Sequence, residues 1–170
     1  MSALSARVAE FPRAHPVASL VVAVLAVEAV GASGAVFTAQ GLAEWYGTLR
    51  RPGVAPPNWV FGPVWTTLFA LVGVAAWLVW RQGEENPRGV RLAGGVFAVH
   101  FAFNLGWSAV FFGLREIGAA LVVIAVLWVL IAATTWAFAR IDRRAAALLV
   151  PYLLWVSFAA YLNYQFWLLN

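Results

Sequence analysis

The sequence predicts an all-α membrane protein, a bundle of five transmembrane helices. Of its 170 residues, 64% are apolar and only 11% are charged, whereas a soluble domain averages about 25% charged residues. The mean hydropathy is +0.83, and the charges lie between long apolar runs. A helix needs about 20 apolar residues to cross the hydrocarbon layer, and five such runs are present. We therefore expect lipid to surround most of the protein surface.

The first span is predicted at about residues 17–39, after Arg7 and Arg13, and it contains one acid, Glu28. Its small-residue cluster at residues 31–35 also resembles a signal-peptide cleavage site. The apolar run is, however, longer than the usual 7–15-residue core of a signal peptide. We therefore favour a retained span over a cleaved one.

The other four spans are predicted at about residues 60–80, 91–112, 117–139 and 145–169. Lipid offers the backbone no hydrogen-bond partners, so each span is predicted to be a helix. The spans are separated by breaks of Pro, Gly and charge at Arg81–Arg91, Gly113–Gly118 and Arg140–Arg144. No internal repeat is evident, so we expect one domain over residues 1–170.

The distribution of basic residues predicts the orientation. All eleven are Arg, and eight of them lie on the N-terminal side, against Arg50, Arg51 and Arg115 on the other side. The positive-inside rule then places the N-terminus in the cytoplasm and Asn170 outside. We expect a multi-pass protein of the cell membrane, most simply the cytoplasmic membrane. The Arg residues form no basic stripe on a soluble element, so we expect no nucleic-acid partner.

The residue types that usually carry metal or thiol chemistry are scarce. There is no Cys, and the two His, His15 and His100, lie far apart in the sequence. This spacing matches no metal site, and disulfides and cysteine nucleophiles are excluded. We predict no metal and no required cofactor.

Two spans carry stripes of aromatic and polar residues at helical spacing. On the third span the stripe contains His100, Asn104 and Trp107. On the fifth span one helix face carries Tyr152, Trp155, Ala159, Leu162 and Asn163. Polar side chains within a span usually face the bundle interior or a cavity, so we predict a pocket between these helices. The alternative is that Asn104 and Asn163 only bond to neighbouring helices.

Glu28 falls near the middle of the first span, where a carboxylate must be protonated, paired or hydrated. His100 is the titratable group at a similar predicted depth on another span. We hypothesise a Glu28–His100 contact, within the subunit or across a dimer. The alternative is a protonated Glu28 bonded to a backbone carbonyl.

The longest connection, at residues 40–59, contains Trp45 and three prolines, Pro52, Pro56 and Pro57. Proline fixes φ and restricts the residue before it, so the segment is stiff and extended. Long connections in compact domains often act as lids. We predict a lid over the pocket, with Trp45 among the ligand-binding residues; the alternative is an anchor lying on the membrane surface.

Three ordered blocks of this sequence resemble one family. The blocks are Trp45-Tyr46-x-x-Leu49-x-x-Pro52-x-x-x-Pro56-Pro57-x-Trp59-Val60-Phe61-Gly62-Pro63-Val64-Trp65-Thr66, then Asn104-Leu105-x-Trp107-Ser108, then Pro151-Tyr152-x-x-Trp155-x-x-Phe158-Ala159-x-x-Leu162-Asn163. They resemble the signature of the tryptophan-rich sensory protein and translocator protein family, also called the peripheral benzodiazepine receptor family. The likeness covers about residues 31–170.

The resemblance implies a five-helix bundle, often a homodimer, that binds porphyrins such as protoporphyrin or haem and other lipophilic molecules, with membrane lipid around it. It implies a cavity under the first loop, lined by Trp59, Asn104, Trp107 and Leu162. Ala159 occupies a position where a small residue is linked to ligand affinity in the family. The family's sterol pattern requires a basic residue after Tyr164, and none follows, so the resemblance does not extend to sterol binding.

A porphyrin ligand makes further demands on the site. Its carboxylates need Arg or backbone N–H groups at the water boundary, for which Arg50 and Arg51 are candidates. Counted from the predicted span ends, Trp65 and Trp155 differ in depth by about 13 Å. We therefore expect these two indoles to contact opposite parts of one ligand.

Three functions fit these observations. The one we favour is a membrane receptor for porphyrins and related lipophiles with a role in stress or light sensing. The second is a transporter of tetrapyrroles or lipids, although the inverted repeats and broken helices common in transporters are not evident. The third, by resemblance, is a light-dependent porphyrin-degrading enzyme in which Trp65 and Trp155 are the catalytic residues.

Overall fold

The computed structural model describes residues 3–170, which form six helices and no strand. The helices are α1 (Ala3–Ala14), α2 (Pro16–Glu44), α3 (Phe61–Trp80), α4 (Pro87–Ser108), α5 (Ile117–Ala139) and α6 (Arg143–Leu169). A π-helical turn at Ala109–Gly113 continues α4. Five of the six helices, α2 to α6, are long and apolar enough to cross a membrane. The predicted all-α, five-span membrane fold is confirmed.

Polar residues just outside the hydrocarbon layer extend the helices beyond the predicted spans. α4 and α6 begin before residues 91 and 145 because the side chains of Asn86 and Asp142 accept bonds from the N–H groups of Gly89 and Arg144. Such caps satisfy backbone donors at the start of a helix, so the basic first turns are helical as well.

Helix α2 continues to Glu44, beyond the predicted end of the first span at about residue 39. Gly41 permits this extension. A Cβ atom on Gly41 would lie 2.8 Å from the Phe112 side chain and 2.9 Å from the Phe112 carbonyl oxygen. The last turns of α2 therefore pack directly on the π-helical turn, and the connecting segment begins only at Trp45.

Helix α1 was not predicted, because its apolar residues are too few to span a membrane. It packs across the end of the bundle where α2 begins and α3 ends, which we call the N-terminal end. Arg13 pairs with Glu84 at 3.2 Å and with Glu85 at 2.6 Å. The indole Nε1 of Trp80 donates to the carbonyl of Val8 at 2.9 Å.

The spanning helices form a ring in the order α2, α3, α6, α5, α4, closed where the π-helical turn meets α2. The core contains the fully buried side chains of Val72 of α3, Ile131 of α5 and Val156 of α6. Large apolar side chains such as Leu25 and Leu154 are exposed on the outside of the ring. In a membrane protein such a surface faces lipid.

The connection between α2 and α3 descends into the bundle. Both helices reach the N-terminal end, yet α2 has 29 residues and α3 has 20. At 1.5 Å per residue, α3 therefore starts about 13 Å deeper than the point where α2 ends. The connection contains 3-10 turns at Tyr46–Thr48 and Asn58–Val60.

The side chain of Asn170 ties this connection to the end of α6. Its Oδ1 accepts from the Arg50 N–H at 2.9 Å, and its Nδ2 donates to the Arg50 carbonyl at 3.2 Å. We call this end of the bundle the loop end.

Candidate functional site

A cavity of about 520 Å³ lies between α2, α3, α4 and α6, and the connection between α2 and α3 covers it. Pockets for small organic ligands measure about 300–1,000 Å³ and are mainly apolar with a few polar groups. We call this space the loop-covered cavity. From Glu28 to Leu42, it extends over 14 residues of α2, or about 21 Å. The predicted pocket beneath the first connection is thus present, and Tyr46, Asn58 and Trp59 of that connection line it.

Three indoles, each from a different helix, line the cavity: Trp65 of α3, Trp107 of α4 and Trp155 of α6. The ring centroids of Trp65 and Trp155 are 6.5 Å apart, and their planes meet at 87°. This edge-to-face arrangement is favourable for aromatic rings. The predicted 13 Å difference in depth is wrong, because the descending connection lowers the start of α3 by about that amount.

The amide of Asn163 fixes one indole and one helix end. Its Oδ1 accepts from Trp107 Nε1 at 3.0 Å, and its Nδ2 donates to the Ile117 carbonyl at 2.9 Å. Asn163 thus both lines the cavity and bonds to neighbouring helices, so the two alternatives drawn from the sequence apply together. The position of the Trp107 ring is set by this bond.

Behind the cavity wall, Asn104 begins a chain of buried hydrogen bonds. Its Nδ2 donates to the Tyr152 hydroxyl at 2.7 Å, and that hydroxyl lies 3.3 Å from His100 Nε2. His100 Nδ1 lies 3.2 Å from the Thr134 hydroxyl, which itself donates to the Leu130 carbonyl at 2.8 Å.

The hydrogen bonds between Thr134, His100 and Tyr152 can be donated in only one direction. Because Thr134 already donates, it must accept from His100 Nδ1–H, which leaves Nε2 as an acceptor for the Tyr152 O–H. The imidazole is therefore neutral, with its proton on Nδ1.

Most of the predicted ligand-binding residues line the cavity. They are Trp59, Trp65, Asn104, Trp107, Trp155, Ala159, Leu162 and Asn163, together with Glu28. Trp59 is 75% exposed, so it lies at the edge of the cavity rather than inside it. In the part of the chain that the structure describes, Trp155 Nε1 is the one buried side-chain nitrogen or oxygen without a hydrogen-bond partner.

Four of the predicted contact residues lie elsewhere. Trp45 packs against Phe111, with ring centroids 5.6 Å apart, and does not line the cavity. Tyr152 is 0% exposed and lies behind the wall. Its hydroxyl is directed to the polar network, so its assignment as a ligand contact is corrected to a support for Asn104.

Arg50 and Arg51 do not line the cavity either. The backbone of Arg50 is bonded to Asn170. The Arg51 guanidinium lies 5.3 Å from the centroid of the Tyr46 ring and donates to the Pro56 carbonyl at 3.0 Å. Arg51 is therefore separated from the cavity by the Tyr46 ring.

The hypothesised Glu28–His100 pair is wrong. Both ring nitrogens of His100 are occupied by Tyr152 and Thr134. His100 is also 0% exposed, so a carboxylate from a second subunit could not reach it. Within residues 3–170, the Glu28 side chain has neither an ion pair nor a hydrogen bond, so the alternative bond to a backbone carbonyl is not formed either.

The prediction missed the wall that α2 contributes. This wall consists mainly of small residues, namely Gly31, Ala32, Gly34, Ala35, Thr38 and Ala39. The cluster at residues 31–35 was visible in the sequence, where its resemblance to a cleavage site was rejected and its place in the cavity wall was not predicted. Small side chains permit close helix approach: a Cβ atom on Gly31 would clash with the Phe69 ring, and one on Gly34 would lie 3.1 Å from Leu105.

Known proteins are similar to this sequence over most of its length. The model of the TspO/MBR family matches residues 23–168. A Tryptophan-rich protein TspO of Chlorobaculum tepidum is 47% identical over 146 residues, covering 84% of this chain and 89% of the relative.

Two further relatives come from a second bacterium and from an animal. A Tryptophan-rich sensory protein of Cereibacter sphaeroides is 42% identical over 127 residues, covering 75% of this chain and 77% of the relative. A Translocator protein of Homo sapiens is 39% identical over 124 residues, covering 73% of each chain. Because the family model matches most of the chain and these relatives are 39–47% identical to it, this chain belongs to the TspO/MBR family.

Proposed function

We propose that this protein binds flat lipophilic ligands of the tetrapyrrole class in the loop-covered cavity and senses them at the membrane. The observation that supports this most strongly is that Trp65, Trp107 and Trp155 converge on one cavity from three helices. Each indole that packs against a flat aromatic ligand contributes about 1 kcal/mol beyond the burial of area. The cavity's extent of about 21 Å along α2 supports a ligand that lies with its long dimension parallel to that helix.

The charge of the cavity wall suggests how a porphyrin would be oriented. In the described part of the chain, no Arg lines the cavity. Porphyrin carboxylates are therefore expected to point to the loop end, where Arg51 lies next to the Tyr46 ring. The apolar macrocycle then occupies the space between the indoles.

A titration of purified protein with protoporphyrin, followed by the porphyrin absorption bands, tests this proposal. Trp65→Phe and Trp155→Phe should each weaken binding by up to about fivefold, the equivalent of about 1 kcal/mol, because Phe keeps only part of the aromatic contact. Trp136→Phe is the matched control, because Trp136 lies on α5, is 67% exposed and does not line the cavity. Absence of saturable binding, or an equal loss in the control, would contradict the proposal.

Light-dependent breakdown of the bound porphyrin is the second candidate, and the contact between Trp65 and Trp155 favours it. Both indoles can donate an electron to one excited macrocycle, because their ring centroids are only 6.5 Å apart. Illumination of the protoporphyrin complex in air should then yield a product with wild type and none with the Trp65→Phe/Trp155→Phe double variant. Equal conversion by the double variant would eliminate this candidate.

A further inference from the structure

Glu28 lies at the floor of the loop-covered cavity. Among the cavity-lining residues of α2 it is the furthest from the loop end, and Leu42 is the nearest. One turn above it, Gly31 meets the Phe69 ring of α3, which closes the cavity on that side. Glu28 therefore lines the end of the cavity that is furthest, along α2, from the connection.

Glu28 has no partner within residues 3–170. Ser108 of α4 is too distant to serve, because it lies against Gly34 and Glu28 is six residues, or about 9 Å, deeper along α2. The Asn104 amide, which also lines the cavity, makes its hydrogen bond to Tyr152. The one nearby imidazole, His100, is saturated by other bonds. Glu28 is also the only Asp, Glu, Arg, Lys or His among the described residues that line the cavity.

An unpaired carboxylate at the middle of a membrane costs several kcal/mol, and such residues usually face a site that supplies their partner. The protein does not supply one here. A cation in the cavity would do so, and indole faces on three walls also favour a cation. A neutral ligand of the same shape would instead cover the carboxylate without pairing it, and sites with unpaired polar groups discriminate strongly against such ligands.

We propose that Glu28 selects ligands that carry a protonated amine or another strong N–H donor at the end that enters the cavity first. The ligand class is a flat or polycyclic lipophilic base. This inference rests on the proposed binding function of the same cavity and specifies its chemistry. It predicts a preference for a cation over an uncharged molecule of equal shape.

The test compares aminoacridine, a flat cation at neutral pH, with acridine, its uncharged analogue. Wild-type protein should bind aminoacridine about 10- to 100-fold more tightly, as expected for a hydrogen bond to a charged group. Glu28→Gln, which keeps the shape of the side chain, should remove this preference. Glu44→Gln is the matched control, because Glu44 lies on the same helix but pairs with Arg115 at the surface, at 2.7 Å.

Equal binding of the two probes by wild type, or an unchanged preference in Glu28→Gln, would overturn the inference. The wild-type comparison decides the matter even if Glu28→Gln fails to fold. A parallel titration with protoporphyrin separates the two proposals. Loss of the cation preference with protoporphyrin binding intact overturns only the role of Glu28, whereas cation selection without protoporphyrin binding overturns only the tetrapyrrole proposal.

Discussion

Replacing Tyr152 by Phe should destabilise the bundle although it removes only one oxygen atom. That hydroxyl accepts from Asn104 Nδ2 at 2.7 Å and donates to His100 Nε2 at 3.3 Å. Hydrogen bonds between membrane helices contribute about 0.6 kcal/mol on average and reach about 1.7 kcal/mol. Loss of two such bonds should therefore lower the free energy of unfolding by roughly 1–3 kcal/mol. The upper part of that range applies because His100 has no access to water that could replace the bond.

The measurement is reversible unfolding in mixed detergent micelles, with the free energy compared between variants. Tyr161→Phe is the matched control: Tyr161 is on the same helix, is 48% exposed, and its hydroxyl makes no hydrogen bond to the described residues. We expect the control to change stability by less than about 0.5 kcal/mol.

A double-mutant cycle with His100→Leu then isolates the Tyr152–His100 bond. Once the imidazole is absent, Tyr152→Phe should cost less than it does in the wild type. If Tyr152→Phe is as stable as Tyr161→Phe, the directed chain of hydrogen bonds is not a source of stability and the reasoning is refuted.

Three further predictions concern other parts of the molecule. Gly41→Ala should lower the thermal stability in detergent because its Cβ would meet Phe112, whereas Gly106→Ala, with open space around it, should leave it unchanged or raise it; equal shifts would contradict the close packing. The hydrogen bond from Arg144 lowers the pKa of Asp142 below its ordinary value of 3.8. The ionised Asp142 cap therefore stabilises α6 fully above pH 3.8. This stabilisation is lost as the pH falls through the lower pKa of the folded state. Asp142→Asn should therefore flatten the acid side of a stability profile, and an unchanged profile would refute the link. Asn170→Ala releases the connection at Arg50 and should speed protoporphyrin dissociation in a stopped-flow experiment, while unchanged dissociation would show that the tie does not hold the cover.

Hydropathy identifies residues suited to the hydrocarbon layer, and it predicted the helices well where a helix has the same ends as its apolar run. The bounds of α3 and α5 differ from the predicted spans by at most one residue. Hydropathy carries no signal for helical residues outside that layer. This is why α1 and the last turn of α2, up to Glu44, were missed: side-chain contacts with Trp80 and Phe112 determine them instead.

Helical periodicity identified most of the cavity wall, and its errors have a geometric cause. Tyr152 and Trp155 are three residues apart, so their side chains diverge by about 60° around the axis of α6. That angle is enough to turn one into the core while the other lines the cavity. The positions of Arg50 and Arg51 could not be predicted in this way, because bonds to Asn170 and Pro56 set the course of the connection.

The composition of the α2 wall determines how the cavity can adapt to its contents. Gly and Ala have no side-chain torsions that could rotate to enlarge or reduce the space, so this side keeps its contour whatever occupies it. If the cavity changes shape to fit molecules of different outline, the change must come from α3, α6 and the connection, through rotation of Trp65 and Trp155 and displacement of the connection. If the cavity binds flat molecules as proposed, we therefore expect its ligands to share a common thickness set by the α2 wall and to differ mainly in outline.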